Sequence, residues 1–494
     1  MSICRKERSV SDLSNSIKSG LFWKLLERFG VQGVQFVLQI VLARILDPEH
    51  YGMLSIMVIF TSLANVFVQN GFNTALIQNK ETSEEDYSSV LWVSLGIAGV
   101  LYLIVFLCAP WIGSFYNAPD IVAPLRVLAL MLFPGALNSV QLAKVRRSMD
   151  FRKVFYSNIA GIVLSGGIAI TLACLGGGLW ALVAQSLLNV IITCLVMRFT
   201  VKLKLRFVCN LKRVKTLFAF GWKLLVSSLI DTLYQDLRGL VVGKKYDSAT
   251  LGYYNRGKHF PQFLIHAVNG SVQSVMLPAL STHQDDNVQL KALMRKSIML
   301  TSYIIFPMMA GLAGVAKPLV SLLLTDKWLL CVPYMQIYCF TLAFWPLHTT
   351  NLQAINAVGR SDIYLKLEII KKSYGILALI IAVFCFRSPI AIAMTGVFTT
   401  FISCFVNASP NKKLIGYSYF EQITDILPSF GVSIGMLGAV LLVGQLSLPT
   451  IVILLLQVIT GVSVYLLLSF VFKLTPFKML LSTAKVFLNK KEKR

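Results

Sequence analysis

The segment from Trp23 to Leu46, WKLLERFGVQGVQFVLQIVLARIL, decides the fold class because it is long enough and apolar enough to cross a membrane. A bilayer core about 30 Å thick requires about 20 mostly apolar residues on a helix. The whole chain shares this character, since 56% of its 494 residues are hydrophobic and 14% are charged. Its mean hydropathy is +0.70. This composition excludes a typical soluble domain and predicts an all-α integral membrane protein.

Similar apolar runs follow along the chain and predict about fourteen transmembrane helices. The loops between them are too short to hold a soluble domain. The predicted spans are 20–45, 52–76, 88–112, 121–143, 154–175, 177–197, 216–242, 250–279, 297–318, 332–357, 364–386, 388–408, 423–446 and 449–472.

Lysine and arginine concentrate in the loops after even-numbered spans, for example KVRRSMDFRK after the fourth and RFTVKLKLRFVCNLKRVK after the sixth. Because cytoplasmic loops collect these residues, we expect both termini in the cytoplasm. Residues 1–19 lack the short apolar core of a removable signal peptide. The net charge of +24 therefore predicts contact with anionic membrane lipids and no binding of nucleic acid.

An internal repeat divides the chain. The tetrapeptide WKLL occurs at 23–26 and again at 222–225, and Gly52 is matched by Gly252. A period of about 200 residues over six helices predicts two six-helix lobes in parallel orientation, one of the plans of secondary transporters. The predicted parts are a cytoplasmic segment 1–19, an N-lobe 20–200, a basic linker 201–215, a C-lobe 216–408, two lipid-facing C-terminal helices within 423–472 and a basic tail 473–494.

The first span carries five polar residues on one stripe. Lys24, Arg28, Gln32, Gln35 and Gln39 fall within about 80° of one another on a helix that turns 100° per residue. Charged and polar groups in hydrocarbon normally face a bundle interior or a water-filled cavity. We therefore expect all five to bind substrate, although snorkelling to the headgroups is an alternative for Lys24 and Arg28.

The seventh span shows the same pattern, with Asp231, Gln235 and Arg238 on one polar stripe. Arg238 is predicted to bind substrate. Asp231 is a candidate for coupling transport to a proton or sodium ion, with a static ion pair to Arg238 as the alternative.

The eighth span adds Arg256, Lys258 and His266. The two cations are predicted to receive an anionic substrate at the outer side, with a role as headgroup anchors left open. His266 is a candidate for ion coupling, with a hydrogen-bonded structural role left open. Together, these cations and amides suit a substrate that carries phosphate and many hydroxyl groups.

No catalytic, cofactor or metal motif emerges from the sequence. The acidic clusters at 83–86 and 283–286 are interpreted as solvated loop charges, since no nucleophile or glycine-rich phosphate loop accompanies them. The nine cysteines show no C-x-x-C spacing. We therefore expect a protein that is not an enzyme and binds neither a cofactor nor a metal.

Two stretches resemble the Wzx and teichuronic-acid exporter type of polysaccharide flippase (lipopolysaccharide biosynthesis proteins) in the MOP exporter superfamily. They are LARILDPEHYGMLSIMVIFTSLANVFVQNGFNTALIQNK and LGYYNRGKHFPQFLIHAVNGSVQSVMLPALS. The resemblance extends over essentially the whole chain. One departure is that no Lys or Arg lies between Tyr51 and Gln78, where some relatives have an arginine on the second helix.

The resemblance implies a function. It implies translocation of undecaprenyl-diphosphate-linked oligosaccharide across the bacterial cytoplasmic (inner) membrane by alternating access, for capsule, exopolysaccharide or O-antigen assembly. Polysaccharide assembly proteins are the implied protein partners. A multidrug or small-metabolite exporter of the same superfamily is the alternative, and a membrane-embedded polymerase or ligase is a further one, disfavoured by the short loops.

Overall fold

The fold is entirely helical in the described part of the chain. The computed structural model describes residues 23, 26, 30–78, 83–148, 150–201, 203, 206–208, 210–282 and 286–482, and no strand occurs within these ranges. Lipid offers no hydrogen-bond partners to the backbone, so a helix, which satisfies its own N–H and C=O groups, is the stable choice for each apolar run. The predicted all-α class is confirmed.

The chain divides into two compact units, Met1–Gly252 and Tyr253–Arg494. The helices of the first unit are α1 (Gln32–Ile45), α2 (Pro48–Gln78), α3 (Glu84–Phe115), α4 (Val122–Leu128), α5 (Leu132–Ser148), α6 (Phe151–Cys174), α7 (Leu179–Thr200) and α8 (Leu211–Lys245).

The second unit begins within α9, whose first turn belongs to the first unit. Its helices are α9 (Ser248–Ser281), α10 (Asn287–Gly314), α11 (Ala316–Leu324), α12 (Val332–Ala343), α13 (Trp345–Ala357), α14 (Ser361–Cys385), α15 (Pro389–Ile415), α16 (Tyr419–Val443) and α17 (Thr450–Val471).

The internal repeat is visible in the order of helices. Four helices of the first half have counterparts in the same order in the second half. They are α2 with α9, α3 with α10, α6 with α14 and α7 with α15. The fourth and tenth predicted spans are each broken in the middle, into α4 with α5 and α12 with α13. Pro134 and Pro346 lie in the first turn of α5 and α13, where a missing N–H is tolerated.

Ten described helical segments are long and apolar enough to span a membrane, and α1 is a shorter apolar helix. The chain is therefore a multi-pass membrane protein. The seventh, eighth and eleventh predicted spans fall on α8, α9 and α14, which are not among the ten. The total of fourteen spans agrees with this arrangement and stays a prediction.

The acidic clusters serve as helix caps. Ser83 and Asp86 form a capping box at the start of α3, with the Asp86 carboxylate 2.8 Å from the Ser83 backbone nitrogen. Asp86 is buried and lies 3.5 Å from the guanidinium of Arg213. Asp286 caps α10 by accepting from two backbone N–H groups. The interpretation of the 83–86 cluster as solvated charge is therefore wrong for Asp86, while 283–285 lie outside the described residues.

The penultimate helix, α16, is part of the second unit's core. Val440 and Met436 are buried, and a Cβ built on Gly314 of α10 would lie 2.8 Å from Val440. On other sides α16 exposes Leu427 and Leu442, and side chains of α17 such as Leu455 and Ile459 are more than half exposed. That these two helices face lipid stays a prediction.

Candidate translocation site

The glutamines of the first span share one side of α1. The opposite side carries Val37, which is 60% exposed, and α1 packs on α6 where Leu38 meets Gly166. Gln32 and Gln39 are half-buried, and Gln35 is exposed. Within the described part of the chain, none of the three amides forms a side-chain hydrogen bond. These three residues, the glutamine stripe, are therefore accessible polar groups on one face of α1.

The start of the first span is fixed by aromatic packing. Trp23 lies 5.7 Å from Phe155 and 5.8 Å from Tyr156, between ring centroids. The guanidinium of Arg152 lies 5.4 Å from the Trp23 ring. Lys24 and Arg28, the predicted diphosphate ligands, lie outside the described residues.

The polar residues of the seventh span are placed along α8. Asp231 and Arg238 are half-buried, and Gln235 is exposed. The Arg238 guanidinium lies 6.0 Å from the Tyr234 ring. Ile230, by contrast, is 51% exposed on another side of the helix. Asp231 and Arg238 therefore lie on the stripe that the sequence predicts, seven residues apart on one helix.

The helix starts of the two repeats cross in close contact. A Cβ on Gly52 would lie 1.6 Å from the carbonyl oxygen of Ser248, and one on Gly252 would lie 2.0 Å from that of Pro48. Both glycines are buried and occupy the same repeat position. Only glycine allows this approach of two backbones. We name these four residues the glycine crossing; the matched glycines in the two repeats are the sequence signal that indicates it.

The predicted ligands on α9 do not lie on one face. Arg256 is 6% exposed, and its guanidinium lies 5.1 Å from the Trp328 ring within the second unit. Lys258, two residues later and therefore on a different side of the helix, is half-buried. His266 is exposed. The structure thus separates Arg256 from Lys258, and the surroundings of Arg256 favour a packing role.

A buried set of polar side chains joins α13, α15 and α16. We name it the amide cluster. It comprises His348, Asn351, Asn407, Asn411 and Gln422. The Asn351 amide nitrogen donates to Gln422 at 2.8 Å, and Asn411 and Gln422 donate to the Asn351 amide oxygen at 2.6 and 3.0 Å. The Asn407 amide lies 3.1 Å from Nδ1 of His348.

The amide cluster and the charges of α14 were not predicted as functional. Glu368 and Lys371 form an ion pair of 2.5 Å with side chains that are 23% and 15% exposed. A survey of every polar residue within the spans, such as HTTN at 348–351, would have flagged both groups. Within the described ranges, no group of three His, Cys, Asp or Glu side chains is placed to hold a metal ion.

Comparison with known sequences relates the chain to proteins of polysaccharide biosynthesis. The model of a family described as polysaccharide biosynthesis protein matches residues 41–333. The lipopolysaccharide biosynthesis protein WzxC of Escherichia coli (strain K12) is 24% identical over 448 residues, covering 88% of this chain and 86% of WzxC. The succinoglycan biosynthesis transport protein ExoT of Rhizobium meliloti (strain 1021) is 24% identical over 350 residues, 71% of each chain.

Solved structures share the fold at low sequence identity. The lipid II flippase MurJ, in an inward closed conformation, aligns with a TM-score of 0.72 at 16% identity and covers 92% of this chain and 98% of its own. An inward-facing multidrug resistance MATE transporter of the MOP superfamily aligns with a TM-score of 0.57 at 16% identity, covering 84% of this chain and 98% of its own. At these identities the likeness concerns the fold.

Proposed function

Since the chain belongs to the polysaccharide biosynthesis protein family, we propose that it flips undecaprenyl-diphosphate-linked oligosaccharide across the bacterial cytoplasmic membrane. The resemblance to Wzx and teichuronic-acid exporter-type flippases is confirmed by the family match and the relatives. The observation that carries the proposal is the glutamine stripe, whose accessible amides form no side-chain hydrogen bond with the described residues. Such amides both donate and accept hydrogen bonds, which suits the hydroxyl groups of sugars.

The charged ligands complete the proposed path. Lys24 and Arg28 bind the diphosphate at the cytoplasmic end, since guanidinium and ammonium groups form charge-assisted hydrogen bonds with phosphate oxygens. Arg238 and Lys258 receive it at the outer end, and Arg256 contributes there mainly by supporting the fold around Trp328. The lipid tail stays in hydrocarbon throughout. Polysaccharide assembly proteins then take up the outer product.

The glycine crossing acts as the outer gate in this proposal. With both termini in the cytoplasm, α2 and α9 begin at the periplasmic side, so the contact of Gly52 with Ser248 closes that side. Release of the headgroup requires the crossing to separate. A contact built from backbone and glycine leaves no side chains to rearrange, which favours a gate that opens as a unit.

Ion coupling is assigned to Asp231, with His266 as the second candidate. Asp231 is half-buried on α8 within a predicted span, and ionisable residues within membrane spans are usually functional. An Asp231→Asn variant tested with collapsed proton or sodium gradients distinguishes exchange from a static pair. Under coupling, the variant loses the gradient dependence of transport; with a static pair, the dependence persists.

The multidrug exporter is the second candidate function, favoured by the fold shared with the MATE transporter. Cations on the proposed path disfavour a cationic drug. No catalytic step is proposed, so the protein is assigned as a transporter and not as an enzyme.

The test is transport by purified protein in vesicles that contain lipid-linked oligosaccharide on one leaflet. We expect wild-type protein to expose the sugar on the other leaflet, and Arg28→Ala and Arg238→Ala to slow this step. Lys412→Ala, an exposed lysine on a different helix, is the control. Sugar exposure equal to that of protein-free vesicles, with efflux of a cationic dye instead, would replace the flippase with the drug exporter.

A further inference from the structure

A cavity of about 600 Å³ lies at one end of the second unit, between α10, α16 and the chain that follows α17. We name it the tail cavity. Its polar lining comes chiefly from Arg295, Lys296, Thr424, Asp425, Lys473 and Thr475. By the predicted topology, this end of the helices faces the cytoplasm.

The acidic group of the tail cavity is neutralised within the protein. Arg295 donates to Asp425 Oδ1 through Nε at 3.0 Å and Nη2 at 2.6 Å. The Tyr417 hydroxyl donates to Asp425 Oδ2 at 2.7 Å. Burial raises the pKa of the Tyr417 phenol, and its bond to Asp425 raises it further, so the hydroxyl stays protonated and continues to donate.

Two lysines of the cavity lack such compensation. Lys296 and Lys473 are both exposed, and neither pairs with a carboxylate among the described residues. The cavity therefore offers positive charge that is not already matched by the protein.

Lys473 occupies a backbone position at which a side chain is disfavoured. Its φ is +51°, and the hydrogen bonds from Lys473 N to Phe470 O and from Leu474 N to Ser469 O form the turn that ends α17. Glycine usually holds this position because it has no Cβ. Lys473 therefore lies in the turn at the C-terminal end of α17, at the edge of the cavity.

The rest of the lining is apolar. Met299, Pro428, Phe472 and Met479 line the cavity, and Phe472 is 66% exposed. The following helix, 475–482, presents the exposed side chains of Lys478, Leu480 and Leu481. Basic and apolar groups side by side are typical of a helix at the membrane surface.

We propose that the tail cavity binds an anionic phospholipid, with the headgroup phosphate at Lys296 and Lys473 and the upper acyl chain on Met299, Phe472 and Met479. Uncompensated lysines near the cytoplasmic leaflet attract anionic lipids. The adjoining apolar lining fits an amphiphile and not a free phosphate ion. This site is independent of the proposed translocation path.

Native mass spectrometry of the purified full-length protein tests the proposal with phosphatidylglycerol, phosphatidylcholine and inorganic phosphate as separate probes. We expect wild-type protein to retain phosphatidylglycerol preferentially, and Lys296→Ala with Lys473→Gly to weaken its retention about tenfold. Glycine keeps the turn at 473, so this variant is expected to fold. Lys296→Arg with Lys473→Arg keeps both charges and is expected to retain the lipid.

Lys412→Ala with Lys413→Ala is the matched control, since it removes two exposed lysines from the end of α15, outside the cavity. Three results would overturn the proposal: equal retention of phosphatidylcholine, unchanged phosphatidylglycerol retention in the cavity variant, or equal loss in the control. Phosphate that displaces the lipid through the same lysines would identify a free-anion site instead.

Discussion

The glutamine stripe and the amide cluster place the same chemical groups on helices within predicted spans, yet their surroundings differ. In the second unit, Asn351, Asn411 and Gln422 are 0% exposed and bonded to one another. In the first unit, the stripe amides are partly or fully exposed and make no side-chain hydrogen bond within the described residues.

This difference separates polarity that supports the fold from polarity that is available to a ligand. A buried amide is stable only when its partners are present, so the amide cluster holds three helices in one arrangement. An accessible amide without a protein partner is satisfied by water or by substrate. The predictions below test whether stability depends on the amide cluster and transport depends on the glutamine stripe.

Asn351→Ala is expected to have the largest effect on stability. It leaves Asn411 and Gln422 without their shared acceptor, which costs about 3 kcal/mol in the free energy of unfolding. Thermal unfolding in detergent measures the loss, while transport per folded molecule stays near wild type. Gln353→Ala, an amide on the same helix whose oxygen has no hydrogen-bond partner among the described residues, is the control. Equal destabilisation by Asn351→Ala and Gln353→Ala would contradict a specific contribution of the amide cluster to stability.

Gly252→Ala is expected to destabilise the closed glycine crossing by about 2 kcal/mol of free energy. The new methyl group meets a backbone oxygen, and no change of rotamer relieves this clash. We expect it to favour the outward-open state and to increase labelling of the crossing from the periplasmic side. Gly99→Ala, where a Cβ meets nothing within 4 Å, is the control. Unchanged labelling together with normal transport would contradict a gate at this contact.

Gln35→Ala is expected to have a smaller effect, on transport alone. Loss of one hydrogen bond to a sugar hydroxyl is worth about 1 kcal/mol, or about fivefold in the transport rate. The unfolding temperature should not change, since the amide bonds to none of the residues that the structure describes. A fall in stability with full transport would place Gln35 with the structural amides.

The fold was predictable because the length of each apolar run and the spacing of the internal repeat can be read directly from the sequence. Each predicted span overlaps a helix, and the fourth and tenth overlap the broken pairs α4 with α5 and α12 with α13. The breaks themselves were missed, since Pro134 and Pro346 sit in apolar runs that look continuous.

The candidate site was predictable only in part. Helical periodicity correctly places Gln32, Gln35 and Gln39 on one face, because the angle between residues is fixed by the helix. Periodicity does not state which helix lies opposite, so the partners of Asn351 and the packing of Arg256 on Trp328 were not foreseen. The roles of all the predicted ligands stay predictions.

The most direct test of the central claim compares two sets of substitutions on α1. Gln32, Gln35 and Gln39 changed together to Ala remove the stripe, and Val34→Ala with Val37→Ala alters the exposed opposite side. With lipid-linked oligosaccharide in vesicles, we predict about a hundredfold slower flipping for the first variant, normal flipping for the second and an unchanged unfolding temperature for both. Normal flipping by the glutamine variant would contradict the proposal that these amides bind the sugar.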